Sequence, residues 1–172
     1  MLTARLGLTA ALDARAAAKG PITIGLAGAG QMGTDMVVQI AQMPGVRLGA
    51  VAEVFPENAL AAIAMTGRAR GAVALADGGA GVDAAIEGGK IAVVEDSGAL
   101  CDAGLIDAII DATGNPNVGA RLALGAIAAG KHIVMLNVEA DITMGATSGR
   151  RRRRRGWPIP ARRATNPPAR WS

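Results

Sequence analysis

Aromatic side chains are nearly missing from this chain of 172 residues. There is no tyrosine and one phenylalanine, and the two tryptophans both lie beyond residue 156. A core has to be built from Ala, Val, Ile, Leu and Met instead. Cysteine occurs once, at Cys101, so no internal disulfide can form, which fits a reducing, cytoplasmic setting. No apolar run is long enough to span a bilayer, so no membrane partner is expected. Residues 2–19 carry Arg5, Asp13, Arg15 and Lys19 among alanines and leucines. They lack the continuous apolar centre of a signal peptide and read as an amphipathic lead-in helix, with a transit peptide as the minor alternative. No metal-ligand spacing, Walker sequence or hydrolase elbow is present, and no metal is expected.

Acidic residues are absent from one region only. All 14 Asp and Glu fall within residues 1–145, against nine Lys and Arg, whereas residues 146–172 carry nine arginines and no acid. The net charge of +4 and the high pI therefore belong to the tail. That tail holds six consecutive arginines (150–155), several prolines and no periodicity, which predicts disorder. Its arginines and tryptophans would suit phosphates and stacked bases of a nucleic acid. The plainer expectation is a frameshift product. With codons drawn from a GC-rich gene, a neighbouring frame gives ordinary enzyme sequence, which the nucleotide sequence can test. The domain would then be cut short, its apolar surface partly exposed and its stability marginal.

The length suits one ordinary domain with a real core. Strand-like segments (21–27, 46–52, 72–76, 91–94, 106–112, 131–137) alternate with helix-like ones (31–43, 56–65, 82–88, 116–129). Ala-Ile-Ile-Asp (108–111) and His-Ile-Val-Met-Leu (132–136) are continuous apolar runs, as expected of parallel strands covered on both faces. Pro56 and Pro116 are placed to open helices. The pattern predicts an α/β fold with a doubly wound parallel sheet. Three units follow: a lead-in helix (1–20), a dinucleotide-binding domain of Rossmann type (21–145) and the disordered tail (146–172).

The strand at 21–27 runs into Gly28-x-Gly30-x-x-Gly33, and Glu53 follows twenty positions later. This is the layout of a dinucleotide-binding βαβ unit. Gly28 permits the tight turn, Gly30 leaves room for a pyrophosphate, and Gly33 lets the helix pack against the strand. The amides at Gln31 and Met32 would meet the phosphates at the positive end of the helix. Glu53 would accept from the adenosine ribose hydroxyls, so the expected cofactor is NAD or NADP, with NAD favoured. A second match, Gly79-Ala-Gly81-Val-Asp-Ala84, follows a weak strand and has Gly104 where the acid belongs. It is set aside as a decoy.

Two further stretches stand at expected strand ends. Ala112, Thr113, Gly114 and Asn115 form a small polar turn that would let the nicotinamide half lie over the strand ends. The alternative there is a simple Asn-Pro helix start. Asn137-Val-Glu139-Ala-Asp141 could touch ribose or substrate or bind a metal, or equally cap the next helix; Asn137 and Glu139 are kept as cofactor candidates. His132 begins its strand, away from the ligand end, and Cys101 reads as a packed apolar residue. Neither is assigned to catalysis.

Taken together, the glycine turn, Asp-Ala-Thr-Gly-Asn-Pro and Gly130-Lys-His-Ile-Val-Met-Leu-Asn-Val-Glu-Ala-Asp141 resemble the N-terminal half of homoserine dehydrogenase-like NAD(P)-dependent oxidoreductases that carry a C-terminal SAF domain. A reductoisomerase-like enzyme similar to 1-deoxy-D-xylulose 5-phosphate reductoisomerase belongs to that group. The resemblance covers residues 1 to about 145. Homoserine dehydrogenases typically have Ala-Asn-Lys after the fifth strand; Asn137 matches, but Val138 replaces the lysine. The resemblance implies hydride transfer with a small polar alcohol or carbonyl substrate, and a homo-oligomer in the full-length family. It also implies that the catalytic lysine and acids lie beyond the point where this sequence turns arginine-rich. Cofactor binding without turnover is the expectation for this chain, and a nonenzymatic dinucleotide-binding module is the alternative.

Overall fold

Six short runs of Val, Ile, Ala and Leu pair into one all-parallel sheet in the computed structural model, which describes residues 7–136. In chain order the elements are α1 (Leu8–Lys19), β1 (Ile22–Ala27), α2 (Gln31–Gln42), β2 (Val46–Ala52) and α3 (Pro56–Ala64). A 3₁₀ turn (Arg70–Ala72) leads to β3 (Val73–Leu75), α4 (Gly78–Glu87), β4 (Ile91–Val94) and α5 (Gly98–Asp102). The described chain finishes with β5 (Ala108–Asp111), α6 (Pro116–Ala128) and β6 (His132–Met135). The sheet order is β3-β4-β2-β1-β5-β6. This is a Rossmann-type α/β fold, as the alternation of segments predicts.

Side chains alternate across the strands, and the sheet is covered on both faces by apolar packing. Leu26, Val51 and Val93 join Val37 and Ile63 from α2 and α3 in one cluster. Their strand neighbours Ala27, Ala50 and Val94 pack with Leu100, Leu122 and Ala126 from α5 and α6 in the other. Alanine and valine at the contacts let helices approach the sheet closely, so the lack of aromatics leaves the core filled rather than hollow.

Several boundaries differ from expectation. The lead-in helix is observed over Leu8–Lys19; the residues before Gly7 lie outside the described part. The strands expected at 72–76, 106–112 and 131–137 are shorter; β5 and β6 end level with their ladder partners, and β3 stops one residue before β4 does. The helix expected at 82–88 begins earlier, at Gly78, and absorbs the decoy glycines. Gly79 packs against the end of α5, and a β-carbon there would stand 2.6 Å from the Asp102 carbonyl carbon. That second glycine pattern is thus a helix contact. α5 was not anticipated: five residues are too few to show a helical period. The arginine-rich tail lies outside the described residues.

Candidate functional site

β1 has β2 on one side and β5 on the other, so the direction of winding reverses between β1 and β5. A crevice opens at such a switch point beyond the carboxyl ends of the strands. The turn after β1 (28–30) and the loop after β5 (112–115) border it together. These are two of the three stretches singled out in the sequence. The third, with Asn137, Glu139 and Asp141, lies outside the described residues.

The three glycines of the turn are distinct in geometry. Gly28 has φ +91°, in the left-handed region that disfavours a side chain, and a β-carbon on it would stand 2.7 Å from the Ala112 carbonyl oxygen. A β-carbon on Gly33 would overlap the carbonyl oxygen of Gly28, so α2 can lie against the turn only without one. Gly30 is different: it is exposed, and nothing stands within 4 Å of where its β-carbon would be. No contact inside the fold requires glycine there. The open space does suit close approach by a ligand. Gly30 is the N-cap of α2, and no side chain caps that helix. The amides of Gln31, Met32 and Gly33 fall in the first turn, where a helix offers no acceptor of its own. They form a site suited to an anion. Thr34 closes the turn from inside, its hydroxyl donating to the Ala29 carbonyl at 3.2 Å.

Glu53 follows the end of β2 and reaches back to the turn. Its Oε2 accepts from the Ala29 amide at 2.6 Å and its Oε1 from the Phe55 amide at 3.3 Å. The carboxylate is thereby fixed beside the glycine turn before any ligand arrives. Sequence spacing does not show this brace. Val54 and Phe55 follow with side chains 68% and 60% exposed, and Met32 in the turn is 56% exposed. Large apolar groups thus face solvent both in the first turn of α2 and directly after the carboxylate. The chain's lone phenylalanine, two positions after the acid, is the sequence signal for this surface.

Across the crevice, Asp111 ends β5 fully buried. Its Oδ1 accepts from the amide and the hydroxyl of Thr113, at 3.0 and 2.7 Å, in an Asx-type turn. The Thr113 hydroxyl therefore spends its proton inward. Ala112 donates to the Ala27 carbonyl at 2.8 Å, tying the loop to β1, and Gly114 takes φ +64°. Asn115 is the N-cap of α6: its Oδ1 accepts from the Asn117 and Val118 amides at 3.0 and 3.3 Å. Its carbonyl end is thus committed to the helix, and its amide nitrogen is the group left for other contacts. A shallow cavity of about 700 Å³ runs from Asn115 along α6 past Arg121 to Leu124.

His132 begins β6 at the opposite end of the sheet, with its side chain exposed. Cys101 is buried on α5 with its thiol 3.8 Å from the Leu122 carbonyl. Burial, with Asp102 adding to it, pushes the thiol up to about 11. A thiol so held is a poor nucleophile at neutral pH. No described helix is long and apolar enough to cross a membrane, and no metal-binding cluster occurs among the described residues.

No family model matches this sequence, and no curated protein aligns with it. Solved structures do match. A scyllo-inositol dehydrogenase of Lactobacillus casei, solved with NAD(H) and scyllo-inositol, gives a TM-score of 0.53 at 20% identity, over 77% of this chain and 34% of its own. A candidate oxidoreductase of Yersinia pestis gives 0.58 at 22%, over 80% and 32%. Another, from Magnetospirillum magnetotacticum, gives 0.55 at 24%, over 80% and 36%. The chain spans about a third of the length of the structures it resembles. At these identities the likeness establishes the Rossmann-type fold.

Proposed function

We propose that this chain binds a nicotinamide dinucleotide as the cofactor domain of an NAD(P)-dependent oxidoreductase. One observation carries the proposal. A glycine turn whose middle glycine is needed by no internal contact lies at the switch point of a parallel sheet, with uncapped amides beside it. The diphosphate rests against the amides of Gln31 and Met32, next to Gly30. Glu53 receives the ribose hydroxyls, and Val54 and Phe55 offer apolar surface to the adenine. The nicotinamide half extends over the 112–115 loop. The solved neighbour with NAD(H) and a cyclic polyol is consistent with this arrangement.

The finer proposal is a homoserine dehydrogenase-like oxidoreductase acting on a small polar alcohol or carbonyl. It rests on the similarity of the Asp-Ala-Thr-Gly-Asn-Pro and Asn-Val-Glu-Ala-Asp stretches, the latter outside the described residues. The substrate and the groups that move its proton would be held beyond this domain, so binding without turnover is the expected behaviour of the chain alone.

Fluorescence titration with NADH and NADPH tests the proposal. NADH should bind, NADPH more weakly, and saturating NADH should raise the melting temperature by linkage. Glu53→Ala should narrow the gap between the two cofactors, because the carboxylate no longer repels a 2′-phosphate. Absence of any response to either dinucleotide removes the cofactor assignment.

A further inference from the structure

One polar atom in the described part breaks the rule that buried polar groups are partnered. Asp111 has no exposed surface, its Oδ1 holds both donors of Thr113, and its Oδ2 has no hydrogen-bond partner at all. A bare buried polar atom costs the fold its hydration with nothing gained in return. An Asn or Ser would make the same turn without the charge. Folding alone therefore gives no reason for an aspartate here.

The position of that carboxylate supplies a reason. Thr113, which it holds by its amide and hydroxyl, belongs to the wall against which the glycine turn is pressed. The space a Gly28 β-carbon would need is filled by the Ala112 carbonyl and the Thr113 α-carbon, at 2.7 and 3.0 Å. The Ala112 side chain lies 3.8 Å from the corresponding point at Gly33. Hydrogen bonds to an ionised acceptor are shorter and roughly twice as strong as neutral ones. The two hydrogen bonds that Thr113 gives to the Asp111 carboxyl thus tie the 111–113 segment into one stiff turn.

We propose that Asp111 is a positioning residue for the dinucleotide site, an inference that rests on the cofactor binding proposed above. It holds the 111–113 wall, and through it the register of the glycine turn and its amides, at a cost to the stability of the fold. Sites that trade stability for geometry in this way are a known pattern.

The experiment measures two quantities on the full chain and on the variants Asp111→Ala and Asp111→Asn: NADH affinity by fluorescence, and the thermal midpoint without cofactor. Asp111→Ala should weaken NADH binding by about tenfold or more. Asp111→Asn, which keeps an acceptor for Thr113 but loses the carboxylate, should restore only part of it. Neither variant should lower the midpoint appreciably, because removing the unpartnered oxygen offsets the hydrogen bonds lost. Unchanged NADH affinity in Asp111→Ala overturns the proposal. So does an affinity loss that appears only together with a matching fall in midpoint, the signature of a merely structural residue. If the wild-type chain binds no NADH, the cofactor assignment itself fails and this proposal falls with it.

Discussion

At the amino ends of the strands, Arg47 donates to the Thr23 hydroxyl, the Thr23 amide donates to Asp107, and Asp107 faces Arg15 at 3.6 Å. Lys131, almost wholly buried, gives its ammonium to the Ala103 and Ile106 carbonyls at 2.5 and 2.8 Å. At the carboxyl ends the accounts are open. Gly30 leaves empty space, the first turn of α2 has no side-chain cap, and one oxygen of Asp111 has no partner. The cavities do not separate the two ends: one of about 720 Å³ lies at the amino end, lined by Ile22, Ile24, Ile40, Met43, Ile106 and Ile110 among others. The cavity along α6 at the carboxyl end is nearly as large, about 700 Å³, so volume does not choose between them. The polar groups do choose, because at the amino end they satisfy one another, whereas those across the sheet await a partner. Concavity marks where apolar surface is uncovered; unspent hydrogen-bonding capacity marks where a polar ligand would be recognised.

The sharpest test of that contrast uses two glycines three residues apart. Gly33→Ala forces a methyl group into the Gly28 carbonyl, so α2 must shift away from the turn. NADH binding should vanish, and stability in urea should fall by roughly 1–3 kcal/mol, the usual cost of overpacking. Gly30→Ala adds the same methyl where nothing stands within 4 Å. The urea midpoint should barely move, by less than about 0.5 kcal/mol, yet NADH affinity should still fall. Loss of stability in both variants would mean that Gly30 is a folding glycine and that the open space is not held for a ligand.

The amino end should behave in the opposite way. Lys131→Met keeps the side-chain length but leaves two carbonyl groups without their donor. Unfolding should become easier by about 1–3 kcal/mol, read as a lower urea midpoint. NADH affinity per folded molecule should stay at the wild-type value. A variant that keeps its stability but loses NADH binding would place the two ends in one functional unit and dissolve the distinction between them.

What was legible in the sequence follows the same division. β4 could be read with its observed bounds because a strand buried on both faces is a continuous apolar run, and β2 because its buried half, Gly49–Ala52, is one. The glycine turn could be read because its spacing is a backbone requirement, local to a few residues. Strand order could not: β4 lies between β2 and β3, a choice made by tertiary packing that leaves no local mark. α5 escaped notice because one and a half turns show no period. At the site, Glu53 was found from its distance along the chain, but its bond to Ala29 and the bare oxygen of Asp111 depend on approach through space. Asn115 carries both of its possible meanings in one residue, since the Asn-Pro pair that borders the crevice also caps α6.

At neutral pH the smallest effect expected belongs to Cys101, which packs near the amino end within the field of Lys131 and Asp102. Burial is the main cause that lifts its thiol from 9.0 to about 11, Asp102 adds to the rise, and Lys131 opposes it. In the folded chain the group therefore stays protonated at a pH where the unfolded chain already releases its proton. A raised folded-state pKa contributes stability that is fully present below 9.0 and is lost as pH climbs to about 11. Urea unfolding across that window should show stability declining more steeply in wild type than in Cys101→Ala, with the two curves parallel below pH 9.0. In the double variant Lys131→Met, Cys101→Ala the extra slope should again be absent. In Lys131→Met alone it should grow, because the ammonium that favours the thiolate is gone. Equal slopes in wild type and Cys101→Ala would mean that the thiol ionises as freely in the fold as outside it, and that the α5–α6 contact is open to water.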